Sequence, residues 1–303
     1  MILADTLSVL ASTARLGTPL ALAGLGGLFS ERAGVVALGL EGMMLGGAFA
    51  AGTAAALTGS AWAGLGAALA AGVAIALIHG VVALYYDGDQ VVSGMALNIL
   101  AAGLCPALGN AWFGHGGDTP ALDRAERFMP LAFGLSGLVF VTALLVPLVA
   151  WVMRDSPFGL RLRAVGENPH AVDAAGIKVS RLRYLALMLS GALTGLAGAY
   201  IAIADGAGFT RDMTAGRGYL ALAALIFGRW RPVPTIGACL MFAFADALQL
   251  RLQGVALPLI GHVPVELVQV LPYLLTLVVL AGIGGTSRMP AALGRPFRRE
   301  HVE

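Results

Sequence analysis

Eight stretches of this chain, near residues 7–29, 35–57, 61–84, 90–112, 131–152, 184–205, 235–253 and 265–285, are apolar with few or no charges. As a helix rising about 1.5 Å per residue, about 20 such residues cross about 30 Å of hydrocarbon. In lipid every backbone N–H and C=O must be satisfied within the protein, and for segments of this length the helix is the form that does it. The composition agrees: 58% of the side chains are hydrophobic and 12% are charged. That is about half of the roughly 25% charge typical of a globular chain. A soluble enzyme is excluded on this ground. The net charge of +2 sits in a few short loops and carries no footprint for nucleic acid. The 42 glycines follow no collagen period and no linker pattern, so they read as close helix contacts. The expected fold is all-α, a polytopic transmembrane bundle of about 8–10 spans forming one domain over residues 1–303.

Two segments break the pattern. GYLALAALIFG at 218–228 is about half the length of a span, and SERAGVVALGLEGMMLGG at 30–47 mixes two charges and several glycines with an apolar run. Both read as short or broken helices, tolerated where protein covers the exposed backbone, and their placement in the two halves suggests an inverted repeat. Before Leu7 there is no basic segment followed by a small-residue cleavage site, so that apolar start reads as a retained helix. Cys105 and Cys239 lie in apolar stretches without metal-ligand or disulfide spacing.

Loop 153–183 holds Arg154, Arg161, Arg163, Lys178, Arg181 and Arg183, whereas loop 113–130 holds only Arg124 and Arg127. The positive-inside bias makes the first loop cytoplasmic and the second external. The basic tail 287–303, with Arg288, Arg295, Arg298 and Arg299, places the C-terminus inside as well. Within the first loop, ENPHAVDAAGIK carries the punctuation of a short helix over 169–175. Asn168 caps it, Pro169 fits the first helical position, and Gly176 suits a left-handed stop. Ala171, Ala174 and Ala175 give this helix a low-relief surface suited to a groove on another protein, with an ordinary interhelical loop as the alternative.

Ionisable and amide side chains at membrane depth are costly and therefore functional candidates. Glu41, between Gly39 and Gly42, either lines a substrate route or hydrogen-bonds a broken helix end. Asn98 shares a helical face with Gly94, Ala101 and Cys105 and reads as interhelical glue or a ligand contact. Asp246 faces a route or an intramembrane partner, and Arg15 pairs with an acid or reaches the interface. His79 has no second ligand at helical spacing and reads as a core histidine. Gly191, Gly195 and Gly198 form a small-residue row for helix packing, and Trp62, Trp112, Trp151 and Trp230 fall near span ends as interface anchors. No HExxH, paired Asp motif or nucleophile constellation supports an intramembrane enzyme. An ion-coupled secondary transporter remains open on charges alone.

GLRLRAVGENPHAVDAAGIKVSRLRY, followed by LSGALTGLAGAY, resembles the cytoplasmic loop and following span of permeases of ATP-binding-cassette (ABC) importers for sugars, nucleosides and branched-chain amino acids. GGLFSERAGVVALGLEGMMLGGAFAAG at 26–52, QVVSGMALNIL at 90–100, TAGRGYLALAALIFGRW at 214–230, FADALQLRLQ at 244–253 and LPYLLTLVVLAGIGGTSRMPAALGRP at 271–296 resemble the nucleoside-type branch. The family pattern VNIGLEG reads VALGLEG here, with Ala37 in place of Asn. The resemblance implies that 169–175 is a coupling helix docking into a partner ATPase, with Arg163, Gly166, Glu167, Asn168, Pro169 and Gly176 matching its motif and Asp173 at the same contact. It also implies a bacterial plasma-membrane location, a second, related permease subunit and an external substrate-binding lipoprotein. The substrate it implies is a nucleoside or nucleobase, with a sugar or flavin-like vitamin as alternatives. No GxxxxGK[ST] motif occurs, so this chain is no ATPase: ATP and Mg would sit on the partner, and no cofactor is expected here.

Overall fold

The computed structural model describes residues 2–114, 116–132, 134–252, 256–257, 261–262 and 289–297. The span expected at 265–285, together with Arg288, Arg298 and Arg299 of the basic tail, lies outside the described residues. The helices, in chain order, are α1 (Ile2–Arg32), α2 (Leu40–Thr58), α3 (Ala61–Gly80), α4 (Gln90–Phe113), α5 (Gly137–Asp155), α6 (Pro157–Glu167), α7 (Pro169–Ala174), α8 (Val179–Ala199), α9 (Arg217–Phe227) and α10 (Pro232–Leu252). The strands among the described residues form two short antiparallel pairs, β1–β2 (Pro130–Ala132 with Leu135–Ser136) and β3–β4 (Ala256–Leu257 with Gly261–His262). Helices α3 and α8 each end in a π-turn, Val81–Tyr85 and Tyr200–Asp205.

Among the described residues six helices, α2, α3, α4, α5, α8 and α10, are long and apolar enough to cross a membrane. Helix α1 is the longest at 31 residues, yet Arg15 and its Gly, Ser and Thr residues dilute its apolar character, and it is not among the six. Its position explains the tolerance: every residue from Gly17 to Glu31 is buried. The interruption expected within 30–47 is the non-helical segment 33–39; from Leu40 the chain is continuously helical to Thr58.

Helices α2, α3 and α8 pack through glycine. A Cβ on Gly47 would come 2.8 Å from Gly195 Cα, and one on Gly191 would come 2.7 Å from Ala76 Cβ and closer still to Gly72 O. Lipid tails are as apolar as leucine, so such helices gain from close van der Waals approach, which small residues permit. The row Gly191, Gly195, Gly198 read from sequence is this contact.

Loop 153–183 defines one end of the bundle. Arg32 at the end of α1 lies there, its Nη1 4.0 Å from Glu167 and its Nε donating to Trp230 O at 2.7 Å. The opposite end carries Asp205 and the loop before α5, with Trp62 at the start of α3 edge-on to Phe128 at 5.1 Å between centroids. From Asp205 the chain does not leave the bundle. Phe209 N accepts a place beside α2 by donating to Thr119 Oγ1 at 2.8 Å, and the segment then runs down α2 from Gly52 to Glu41. Those two positions are about 16 Å apart along a helix. Helix α9 completes the descent to Trp230, so residues 206–227 cross half as bends and turns and half as helix.

Candidate functional site

The two interrupted segments meet. Glu41, in the first turn of α2, accepts from Thr214 Oγ1 (2.6 Å) and Gly216 N (2.9 Å) on Oε1, and from Gly218 N (2.6 Å) on Oε2. The first N–H groups of a helix have no partner within it, and the dipole favours negative charge there. Glu41 therefore caps α9 from another helix. The turn it holds carries two non-glycine left-handed residues, Asp212 (φ 55°) and Ala215 (φ 47°), a conformation costing about 1–3 kcal/mol each that persists only when its surroundings impose it.

Asn98 completes the joint. Its Oδ1 accepts from Gly42 N (2.8 Å), and its Nδ2 donates to Leu38 O and to Tyr219 Oη, both at 2.9 Å. Glu41 and Asn98 line a cavity of about 260 Å³ with Leu45, Ile99, Asp212, Thr214 and Tyr219. Asp246 is not among its lining residues; it lies half-buried on α10. Sequence reading singled out Glu41 and Asn98 but not Asp212, Thr214 or Tyr219. The signal was available: TAGRG at 214–218 precedes an apolar helix whose first N–H groups have no local carboxylate.

Other polar residues are structural. His79 is buried, its Nδ1 3.0 Å from Ser93 Oγ and its Nε2 3.2 Å from Val36 O. Arg15 pairs with Asp205 at 2.9 Å. Trp62, Trp112 and Trp151 are exposed as interface anchors would be, whereas Trp230 is buried and its indole N–H donates to Glu31 Oε2. No group of three or more His, Cys, Asp or Glu suited to a metal occurs among the described residues.

At the loop end, α7 forms over Pro169–Ala174 as its punctuation requires. Asn168 Oδ1 accepts from Ala171 N at 3.1 Å, and Gly176 has φ +79°. Pro169 and Val172 point inward, while His170, Ala171, Ala174 and Ala175 are exposed. Of the residues expected at a partner contact, Glu167, Asn168 and Gly176 are exposed, Asp173 and Arg163 are half-buried, and Gly166 is buried. Gly166 packs against Arg32 O and Pro290, so it serves the interior of this chain. Helix α6 before it went unread, although Ser156 followed by Pro157 is a cap-plus-first-position pair; Ser156 Oγ accepts from Gly159 N at 3.0 Å.

Residues 9–280 match the family described as the permease component of the branched-chain amino acid transport system. The chain is 36% identical to a guanosine ABC transporter permease of Bacillus subtilis, over 92% of each chain. It is 34% identical to a nucleoside ABC transporter permease of Lactococcus lactis, over 91% of this chain and 92% of the relative. It is 36% identical to a Haloferax volcanii protein provisionally named a glucose ABC transporter permease, over 96% and 98%. Its fold resembles the solved structure of an ABC transporter, provisionally of metal-chelate type, in an inward-facing conformation, with TM-score 0.54 at 18% identity over 90% of this chain and 85% of that one. A multi-pass membrane protein matched over most of its length in this way belongs to the permease family of ABC importers, a family of transport subunits.

Proposed function

We propose that this chain is one of two permease subunits of a bacterial plasma-membrane importer that takes up nucleosides, driven by ATP hydrolysis on a separate subunit docked at α7. The observation that carries the coupling half of this reading is α7 itself: six residues, capped at its start and stopped by a left-handed glycine, exposing Ala171, Ala174 and Ala175. A helix so short is marginal alone and is held by what it packs on. Its outer face is flat enough to enter a groove, and it has no task in a solitary transporter. The loop end is then cytoplasmic, and α1 begins on the external side.

The nucleoside half rests on the guanosine and nucleoside relatives together with the cavity between α2, α4 and α9. Asp212, Thr214 and Tyr219 offer acceptors and hydroxyls suited to ribose and base edges, with the apolar Leu45 and Ile99 beside them. Glu41 and Asn98 frame this cavity and hold its walls. The second permease, a related chain, closes the route from the side on which Ile99 is exposed, and an external binding lipoprotein delivers the solute. No covalent chemistry takes place on this chain.

The test is co-purification from the native membrane in mild detergent, followed by uptake in proteoliposomes containing ATP. An ATPase, a second permease and a lipoprotein are expected with it, and uptake of guanosine in preference to glucose. Preferential glucose uptake would replace the substrate assignment, and solute movement by a lone, ATPase-free chain would overturn the coupling assignment.

A further inference from the structure

Arg183, in the first turns of α8, is 1% exposed, and no carboxylate lies within ion-pair distance of it among the described residues. Its Nε donates to Ala33 O at 3.1 Å and its Nη1 to Arg295 O at 3.3 Å. Burying a guanidinium without a counter-ion is costly. Its planar, fixed donors suit it to bridge two carbonyls that a lysine could not hold together. One of these carbonyls belongs to the turn between α1 and α2, the other to the segment 289–297.

That segment reaches the docking helix. Ala292 N donates to Gly166 O at 2.8 Å, Pro290 packs on Gly166, and Phe297 stacks at a tilt on His170 of α7 with centroids 5.1 Å apart. In the other direction Gly294 N donates to Gly34 O at 3.1 Å. The 33–39 turn continues the connection inward: Val36 is held by Gln90 and His79, and Leu38 O accepts from Asn98 of the cavity. A ring contact on α7, hydrogen bonds from the segment 289–297 to Gly166 of α6 and to Gly34, and the 33–39 turn itself thus join the exposed docking helix to the Glu41–Asn98 joint.

We propose that Arg183 and the segment 289–297 are positioning elements for coupling: they tie the docking helix to the 33–39 turn, so that displacement of α7 by the ATPase moves the wall of the cavity. This rests on the importer reading. Arg183 touches no substrate; it acts by keeping Ala33 and Arg295 in register.

The experiment uses the complete complex in proteoliposomes and reads ATPase co-purification, ATP hydrolysis and guanosine uptake separately. Wild type is measured first: if it brings down no ATPase the importer reading fails, independently of any variant, and if it takes up glucose in preference to guanosine, glucose is the solute followed in the variants. Arg183→Lys is expected to keep co-purification and hydrolysis while uptake per ATP falls about tenfold, the scale of one lost charge-assisted hydrogen bond. Phe297→Ala, half-buried and outside the membrane, is expected to lower the same ratio about threefold through the loss of its ring contact with His170 and part of its packing on the cluster of Val165 and Val172. It decides the matter if the Arg183 variant does not assemble. An unchanged uptake-to-hydrolysis ratio in Phe297→Ala overturns the proposal, as does uptake in Arg183→Lys that falls only in step with hydrolysis.

Discussion

Glu41 shows what a single residue can and cannot disclose. An acid flanked by glycines at membrane depth had two candidate roles, and the structure shows the hydrogen bonds of the helix-end role: three donors from the start of α9 reach its two oxygens, while its side chain also borders the cavity. Glutamine in its place would present an amide N–H₂ to at least one of those donors. Glu41→Gln should therefore cost about 1–3 kcal/mol, with a further fraction for the charge lost at a helix start. The check is the thermal melting of the purified complex, which should drop by several degrees; an unchanged midpoint would show that the cap contributes nothing. His79 was legible because helical spacing around it holds no second ligand. Trp230 was not, because its partner Glu31 is 199 positions away in the chain and its burial depends on a left-handed backbone at φ 53° that no propensity predicts. Arg183 was counted among the loop's basic residues for orientation, and only its burial reveals a second task.

At the scale of elements, local chemistry was readable and distant pairing was not. Helix α7 came from its own cap, proline and glycine, and the structure returns it within one residue of the expected end. Its outer face supplies a prediction: Ala174→Glu leaves the permease folded, since that side chain is exposed. It should nevertheless cut ATPase co-purification by about tenfold or more, through an unpaired charge in a groove. Quantitative pull-down measures it, and full retention would remove α7 from the interface. The glycine row gives another. Gly191→Ala sets a methyl against Gly72 O and Ala76 Cβ and should cost about 1–3 kcal/mol by overpacking. Gly237→Ala, with open space around its Cβ, should be neutral. Limited proteolysis of the two variants side by side separates close packing from a general intolerance of change.

For the whole molecule, hydropathy sufficed to place most of the spans, because crossing a membrane is a one-dimensional requirement on consecutive residues. What it could not place was the 206–227 crossing, whose first half is not helical at all; α1, expected at 7–29, is helical over Ile2–Arg32, and its burial excuses its polar content. The arrangement also fixes which segments share a side. With the α7 end cytoplasmic, a cysteine at exposed Leu57, in the last turn of α2, should react with a membrane-impermeant maleimide from outside, and one at Ala174 only from inside. Native Cys105 and Cys239 are buried and supply little background. Labelling of both cysteines from one side would contradict the topology.

The split crossing also bears on how the chain is made. A segment of non-helical turns followed by an 11-residue helix is too short in its helical part to partition into lipid as it emerges from the translocation channel. It can enter only once α2, synthesised far earlier, offers Glu41 to receive it and α4 offers Asn98 to bind Tyr219. Biogenesis therefore has an order that differs from simple sequential insertion. The first five long helices and α8 must assemble into a receptacle before residues 206–231 can be drawn in. A chain arrested before that assembly would leave them on the side of the membrane opposite α7.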